Sequence, residues 1–140
     1  MRFRIFLSTS MDPSDREFAD ELKRAITNRG HTVQELSTSV SSGSVWADAV
    51  QLTLKSSDAV VLIVPEPGSP GANNAFFEVG AARALGKPVL AVMPDRGAIR
   101  GRDFPVDLVG VLVVDAAQKP IESVVDTLVH ALPANAEAGA

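Results

Sequence analysis

One acid stands out from its surroundings. In the segment Ala75-Phe76-Phe77-Glu78-Val79-Gly80-Ala81-Ala82-Arg83-Ala84-Leu85, every side chain is apolar or small except Glu78 and Arg83. On a helix advancing ~100° per residue, Glu78 shares its face with Asn74, Ala75, Ala81 and Ala82. A carboxylate framed by alanines leaves room for a ligand beside it. Concave apolar surroundings are also where carboxylates acquire shifted pKa values useful for acid–base or charge-stabilising chemistry. The competing structural account is an acid near a helix start complementing the macrodipole. A capping-box role does not fit, because with Asn74 as the N-cap the third helical position falls on Phe77.

Other residues point to the same place. Ser8-Thr9-Ser10-Met11-Asp12 follows the first apolar run and offers three hydroxyls and a carboxylate, although Ser, Thr and Asp are also ordinary turn formers. Ser41-Ser42-Gly43-Ser44 reads either as a cover over a site or as a turn leading into a helix. Trp46, the one tryptophan, is either a core residue or a stacking surface. Several chemistries are excluded. Pro67-Gly68-Ser69-Pro70-Gly71 lacks both the Lys-Ser/Thr ending of a phosphate loop and the G-x-G-x-x-G spacing of a dinucleotide fingerprint. Arg96, Arg100 and Arg102 could meet a diphosphate but read better as a solvated basic loop. The two histidines, His31 and His130, lie outside the candidate loops, so neither a Ser-His-Asp triad nor a histidine-rich metal site has support.

These residues need a scaffold, and the apolar pattern supplies one. Runs over residues 3–7, 32–36, 59–64, 89–93 and 111–114 read as strands, the third and fifth apolar at nearly every position, as in parallel strands covered on both faces. Helical periods lie between them. Ser14-Asp15-Arg16-Glu17 predicts a capping box, with Phe18, Leu22, Ala25 and Ile26 as the stripe behind it and Gly30 as the stop. Ser44 is the expected cap of a second helix, and Asn74 that of a third over 75–85. Pro120 is the expected first residue of a fourth. Strand–helix alternation with short connections implies right-handed crossovers and a three-layer α/β sandwich. Five strands suit the flavodoxin-like order 2-1-3-4-5, with ligands bound where the chain reverses between strands 1 and 3, beyond the strands' carboxyl ends. Residues 8–13 and 65–74 are the loops at that point.

Composition narrows the function class. A chain of 140 residues with 46% hydrophobic and 21% charged side chains suits one globular domain, read as residues 1–133 with a flexible tail over 134–140. Cysteine is absent, which removes disulfides, thiolate nucleophiles and cysteine-bound metal and suits a reducing cytoplasm. A net charge of −4 provides no general field for nucleic acid or anionic membrane. No apolar stretch is long enough to span a bilayer, and Ile5-Phe6-Leu7 is too short for a signal-peptide core. The expectation is a soluble cytoplasmic protein without a cofactor.

The chain to about Leu132 resembles a bacterial-type Toll/interleukin-1 receptor (TIR) domain. The resemblance rests on Ile5-Phe6-Leu7-Ser8 with Asp12 or Asp15 downstream, then Gly43-Ser44-Val45-Trp46. It continues through Ser56-Ser57-Asp58 leading into Ala59-Val60-Val61-Leu62-Ile63-Val64, and ends with Glu78 ahead of Gly86-Lys87-Pro88-Val89. It implies cleavage of the nicotinamide–ribose bond of NAD, with NAD as substrate and Glu78 as the catalytic glutamate. Ser8, Thr9, Ser10, Asp12, Gly43, Trp46, Asn74 and Phe77 are then the candidate substrate-binding set. It also implies self-association, with a neighbouring protomer's loop completing the site, or alternatively a non-catalytic assembly role through residues 37–44. The Glu78 helix and its Gly86-Lys87-Pro88 ending are similar as well to nucleoside 2-deoxyribosyltransferases, which carry a nucleophilic Glu in F-E-x-G-x-A-x-A-x-G-K-P. Pro70-Gly71 is faintly similar to the P-G-G-x-G-T-x-x-E motif of phosphoribohydrolases. All three resemblances imply N-glycosidic bond cleavage by one glutamate.

Overall fold

The computed structural model describes residues 2–36, 43–66, 68–94 and 112–132, with side chains described from residue 47 onward in the second helix. The elements are β1 (Arg4–Ser8), α1 (Pro13–Asn28), β2 (Thr32–Gln34), α2 (Gly43–Lys55), β3 (Ala59–Ile63), α3 (Ala72–Ala84), β4 (Val89–Met93), β5 (Leu112–Asp115) and α4 (Ile121–Ala131). The five strands form one sheet in the order β2-β1-β3-β4-β5, every neighbouring pair parallel. This is the expected α/β three-layer sandwich. All five side chains of central β3 are buried, the burial that its unbroken apolar run requires.

The period-2 alternation of the strands divides the core in two. Ile5, Leu7, Val61, Ile63 and Val92 point to one face and pack with Leu22 and Ile26 of α1 and Val125 and Leu128 of α4. Phe6, Val60, Leu62 and Ala91 point to the other, under Val50 and Leu54 of α2 and Ala75, Val79 and Ala82 of α3. Ser8 has the parity of Phe6, so its side chain faces the α2–α3 layer. β1 is paired with β3 through Ser8 opposite Leu62, so the serine is the last residue of the strand rather than the first of a loop.

The expected helix starts are corrected: α2 begins at Gly43, one residue before its expected cap Ser44, and Pro120 is the N-cap of α4 rather than its first residue. Asp12, not Ser14, caps α1: its Oδ1 accepts from the Ser14 amide at 2.9 Å and the Ser14 hydroxyl at 2.6 Å. Pro13 then occupies the first helical position, where a missing N–H is harmless, and Glu17 is exposed. Helix α3 begins at Ala72, with Gly71 as N-cap at φ 78° and without a side-chain cap, so Asn74 lies in the first turn instead of capping it. A Cβ on Gly71 would sit 2.7 Å from Met11 Cγ and 3.1 Å from the Met11 nitrogen. That close approach goes with the Met11 amide donating to the Pro70 carbonyl at 2.6 Å, which ties the loop after β1 to the entrance of α3. The arginines at 96, 100 and 102, most of the 37–44 loop and the 134–140 tail lie outside the described residues.

Candidate active site

Helices α1 and α3 leave adjacent strands β1 and β3 toward opposite faces, which opens a crevice at the carboxyl edge of the sheet. Glu78 stands on the α3 wall of this crevice and Ser8 on the end of β1 below it. Glu78 is 7% exposed and Ser8 1%. The Ser8 hydroxyl lies 2.5 Å from Glu78 Oε1 and 3.3 Å from the Ala75 carbonyl one helical turn earlier. Because α3 starts at Ala72, Glu78 is its seventh residue, about 10 Å along the axis. That is beyond the first turn, within which the macrodipole acts, so dipole compensation does not account for this acid.

Burial pushes the Glu78 carboxyl up from an ordinary 4.5 to about 7; the Ser8 hydrogen bond works against that rise, and the charge of Glu35 adds a smaller push upward. The group therefore sits between its acid and base forms at neutral pH, the condition under which one carboxyl can hold or release a proton during turnover. Glu35, just beyond β2, was not among the residues singled out from sequence. It accepts from Arg16 at 2.8 Å and lies 3.6 Å from Lys23, both on α1. Its placement follows from β2 lying beside β1, which the apolar pattern could indicate, but its pairing spans 19 residues to Arg16 and left no local signal.

The remaining sequence candidates divide. Thr9 is half-buried and its hydroxyl lies 3.5 Å from the Ile63 carbonyl at the end of β3, so it closes the strand end beside the crevice. Ser10 is fully buried, donates to Asp15 and accepts from the Asp12 amide at 3.1 Å. Its hydroxyl organises the loop. Asp12 is engaged as the α1 cap. Asn74 and Phe77 are exposed on α3, Phe77 about 100° around the axis from Glu78. Gly43 opens α2, and the Trp46 side chain lies outside the described residues. A cavity of about 300 Å³ also opens at the carboxyl edge, on the α1–α4 side between Phe18, Pro94, Lys119 and Ile121; Glu78 is not part of it. Among the described residues, no group of three His, Asp or Glu is placed to hold a metal ion, and no helix is long and apolar enough to cross a membrane.

No protein-family model matches this sequence, and no curated protein does. Among solved structures, the chain is similar to the CMP N-glycosidase BcmB of Clostridium botulinum, with a TM-score of 0.55 over 89% of this chain and 97% of that one. Sequence identity is 16%, so the likeness is one of fold. It extends over nearly the whole of both chains.

Proposed function

We propose that this protein hydrolyses the N-glycosidic bond of a nucleotide, with a nucleoside 5′-monophosphate as the first-choice substrate and Glu78 as the reacting carboxyl group. The observation that carries the reading is a buried glutamate at the switch-point crevice, held by the Ser8 hydroxyl and poised to ionise near neutral pH. Cleavage moves the C–N bonding pair onto the departing base and leaves positive charge on the ribose ring. An ionised carboxylate beside the anomeric carbon stabilises that charge or bonds to it. The attraction is strong because water is largely excluded from the Glu78 side chain. Water then supplies the hydroxyl on the anomeric carbon and a proton for the base. The products are free base and ribose 5-phosphate.

The similar fold of a CMP N-glycosidase favours a nucleotide over NAD as substrate. The TIR resemblance supports NAD, and the shared chemistry at Glu78 is common to both. Incubation with CMP, the other nucleoside monophosphates, deoxynucleosides and NAD, followed by chromatographic separation, distinguishes them. Release of free base from a monophosphate, lost in Glu78→Gln, is the expected result. Nicotinamide release from NAD alone would move the assignment to a TIR-type nucleosidase. Absence of turnover on all of them, with the fold intact, would favour an assembly role.

A further inference from the structure

We propose that Ser8 is a positioning residue for Glu78 rather than a substrate contact, its single hydroxyl proton turning between the Glu78 carboxylate and the Ala75 carbonyl as Glu78 loses and regains a proton. The idea uses the reading of Glu78 as the reacting group, but its geometry is independent of any substrate.

The argument begins with proton counting. A serine hydroxyl has one proton to donate and lone pairs with which to accept. Ser8 Oγ is within reach of two acceptors, Glu78 Oε1 at 2.5 Å and the Ala75 oxygen at 3.3 Å, and cannot donate fully to both. When Glu78 is ionised, the proton belongs on the carboxylate, and 2.5 Å is the length expected of an O–H···O⁻ bond. When Glu78 is protonated, its own O–H takes over the short bond as donor to Ser8 Oγ. The serine proton then turns to Ala75, the carbonyl three residues before Glu78 on the same helix. Each state leaves the serine and the bonded carboxyl oxygen paired inside a site where an unpaired polar atom is costly. No backbone movement is needed, because Ser8 is fixed as the last residue of β1 and Ala75 and Glu78 share one helix face.

The surroundings give Ser8 few rivals in this role. β3 and β4, packed under α3, carry no titratable side chain. On α2, Asp48 is exposed and Lys55 lies in the last turn, at the opposite edge of the sheet. On α3 itself, Arg83 is exposed in the last turn. Glu35 acts on Glu78 only through charge and is paired with Arg16 and Lys23. Among the described residues, Ser8 is the one whose interaction favours the ionised form of Glu78.

The test reads Glu78 directly and so does not depend on the substrate being known. In protein labelled with ¹³C at the glutamate carboxyls, the Glu78 resonance is assigned by its loss in Glu78→Gln and followed against pH. The wild type should titrate near pH 7. Ser8→Ala should titrate at least about one pH unit higher, a tenfold weaker acid. Ser8→Thr, which retains the hydroxyl, should stay close to the wild type. With a substrate in hand, the acid limb of kcat in Ser8→Ala should move by the same amount while KM changes little. An unchanged Glu78 titration in Ser8→Ala, or a Ser8→Thr protein that behaves as Ser8→Ala does, overturns the proposal. So does a Ser8→Ala enzyme whose pH profile superimposes on the wild type while KM rises, which would make Ser8 a substrate contact. Failure to cleave any nucleotide would defeat the proposed activity and leave the titration to decide the role of Ser8.

Discussion

The two faces of the sheet are built differently. On one, α1 and α4 lay amphipathic stripes on the strands, and their outer surfaces meet in an ionic clamp in which Arg29, the C-cap of α1, reaches both Glu122 and Asp126 of α4. On the other, α3 is apolar or small nearly all round and covers β1, β3 and β4 with Ala75, Val79 and Ala82. Among these it buries one acid. A carboxyl group in such a place costs free energy; α1 buries an acid too, Asp15, but in its first turn, where Ser10 donates to it. The α1–α4 face is packed by apolar stripes, whereas the α3 face carries the buried carboxyl group that the proposed reaction would use. Substitutions on the two faces should therefore separate stability from activity.

The largest effect is expected from the packed face. Leu22 is fully buried in the α1–α4 core, and Leu22→Ala should lower unfolding free energy by about 3 kcal/mol in urea titrations, the usual cost of a cavity at such a site. Turnover per folded molecule should be nearly unchanged. Glu78→Gln should do the reverse. Activity should fall by at least ~100-fold, because the amide keeps the shape but cannot stabilise developing positive charge. If turnover stays near wild type, Glu78 has no part in the reaction.

Stability of the same variant depends on pH with a definite sign. Unfolded, Glu78 ionises near an ordinary 4.5; folded, it ionises at about 7. Between those values the folded state holds the extra proton, so wild-type stability falls as pH rises through this window and levels off above it. Below it, the acid costs nothing. Glu78→Gln should therefore match the wild type near pH 4 and exceed it by about 3 kcal/mol at pH 8, less whatever the unpaired amide protons cost. A pH-independent difference between the two proteins would mean that Glu78 ionises normally in the fold.

Much of this was legible in the residues, for reasons that differ by element. The unbroken run from Ala59 to Val64 admits little besides a strand buried on both faces, and that strand anchors the sheet order. Glu78 was visible as the one acid on the small-residue face of its helix. Helix entrances were harder to read. Ser14 and Asp12 both make good caps, and only the geometry of Pro13 decides between them. The start of α3 rests on the left-handed Gly71, which carries no side-chain signal. From its sequence position Ser8 belongs to the loop after β1; in the structure it is the last residue of the strand, with its hydroxyl on Glu78. Glu35 drew no attention because its significance comes from partners on another element.

Gly71 offers a smaller test on the α3 face. Gly71→Ala meets a positive φ and a contact of 2.7 Å to Met11 Cγ, so it should cost about 1–2 kcal/mol. Part of the loss should appear as lower activity, since Met11 follows the loop that begins at Ser8.

The smallest effect should come from the ion pairs on the packed face. Arg29 donates to Glu122 Oε2 and the Glu122 carbonyl at 2.8 and 3.2 Å and also reaches Asp126. The geometry is good, but both acids are largely exposed, at 64% and 59%. Water and salt screen such pairs, and ordering three long side chains offsets most of what remains. The hydrophobic stripe beneath, from Leu22 to Val125, already fixes how α1 and α4 pack. Arg29→Ala should therefore leave the urea midpoint within measurement error of the wild type at 0.5 M salt, with at most a slight decrease at low salt. A large loss that persists in high salt would show that the clamp, not the stripe beneath it, holds α4 in place, and the contrast between the two faces would then rest on charge rather than on packing.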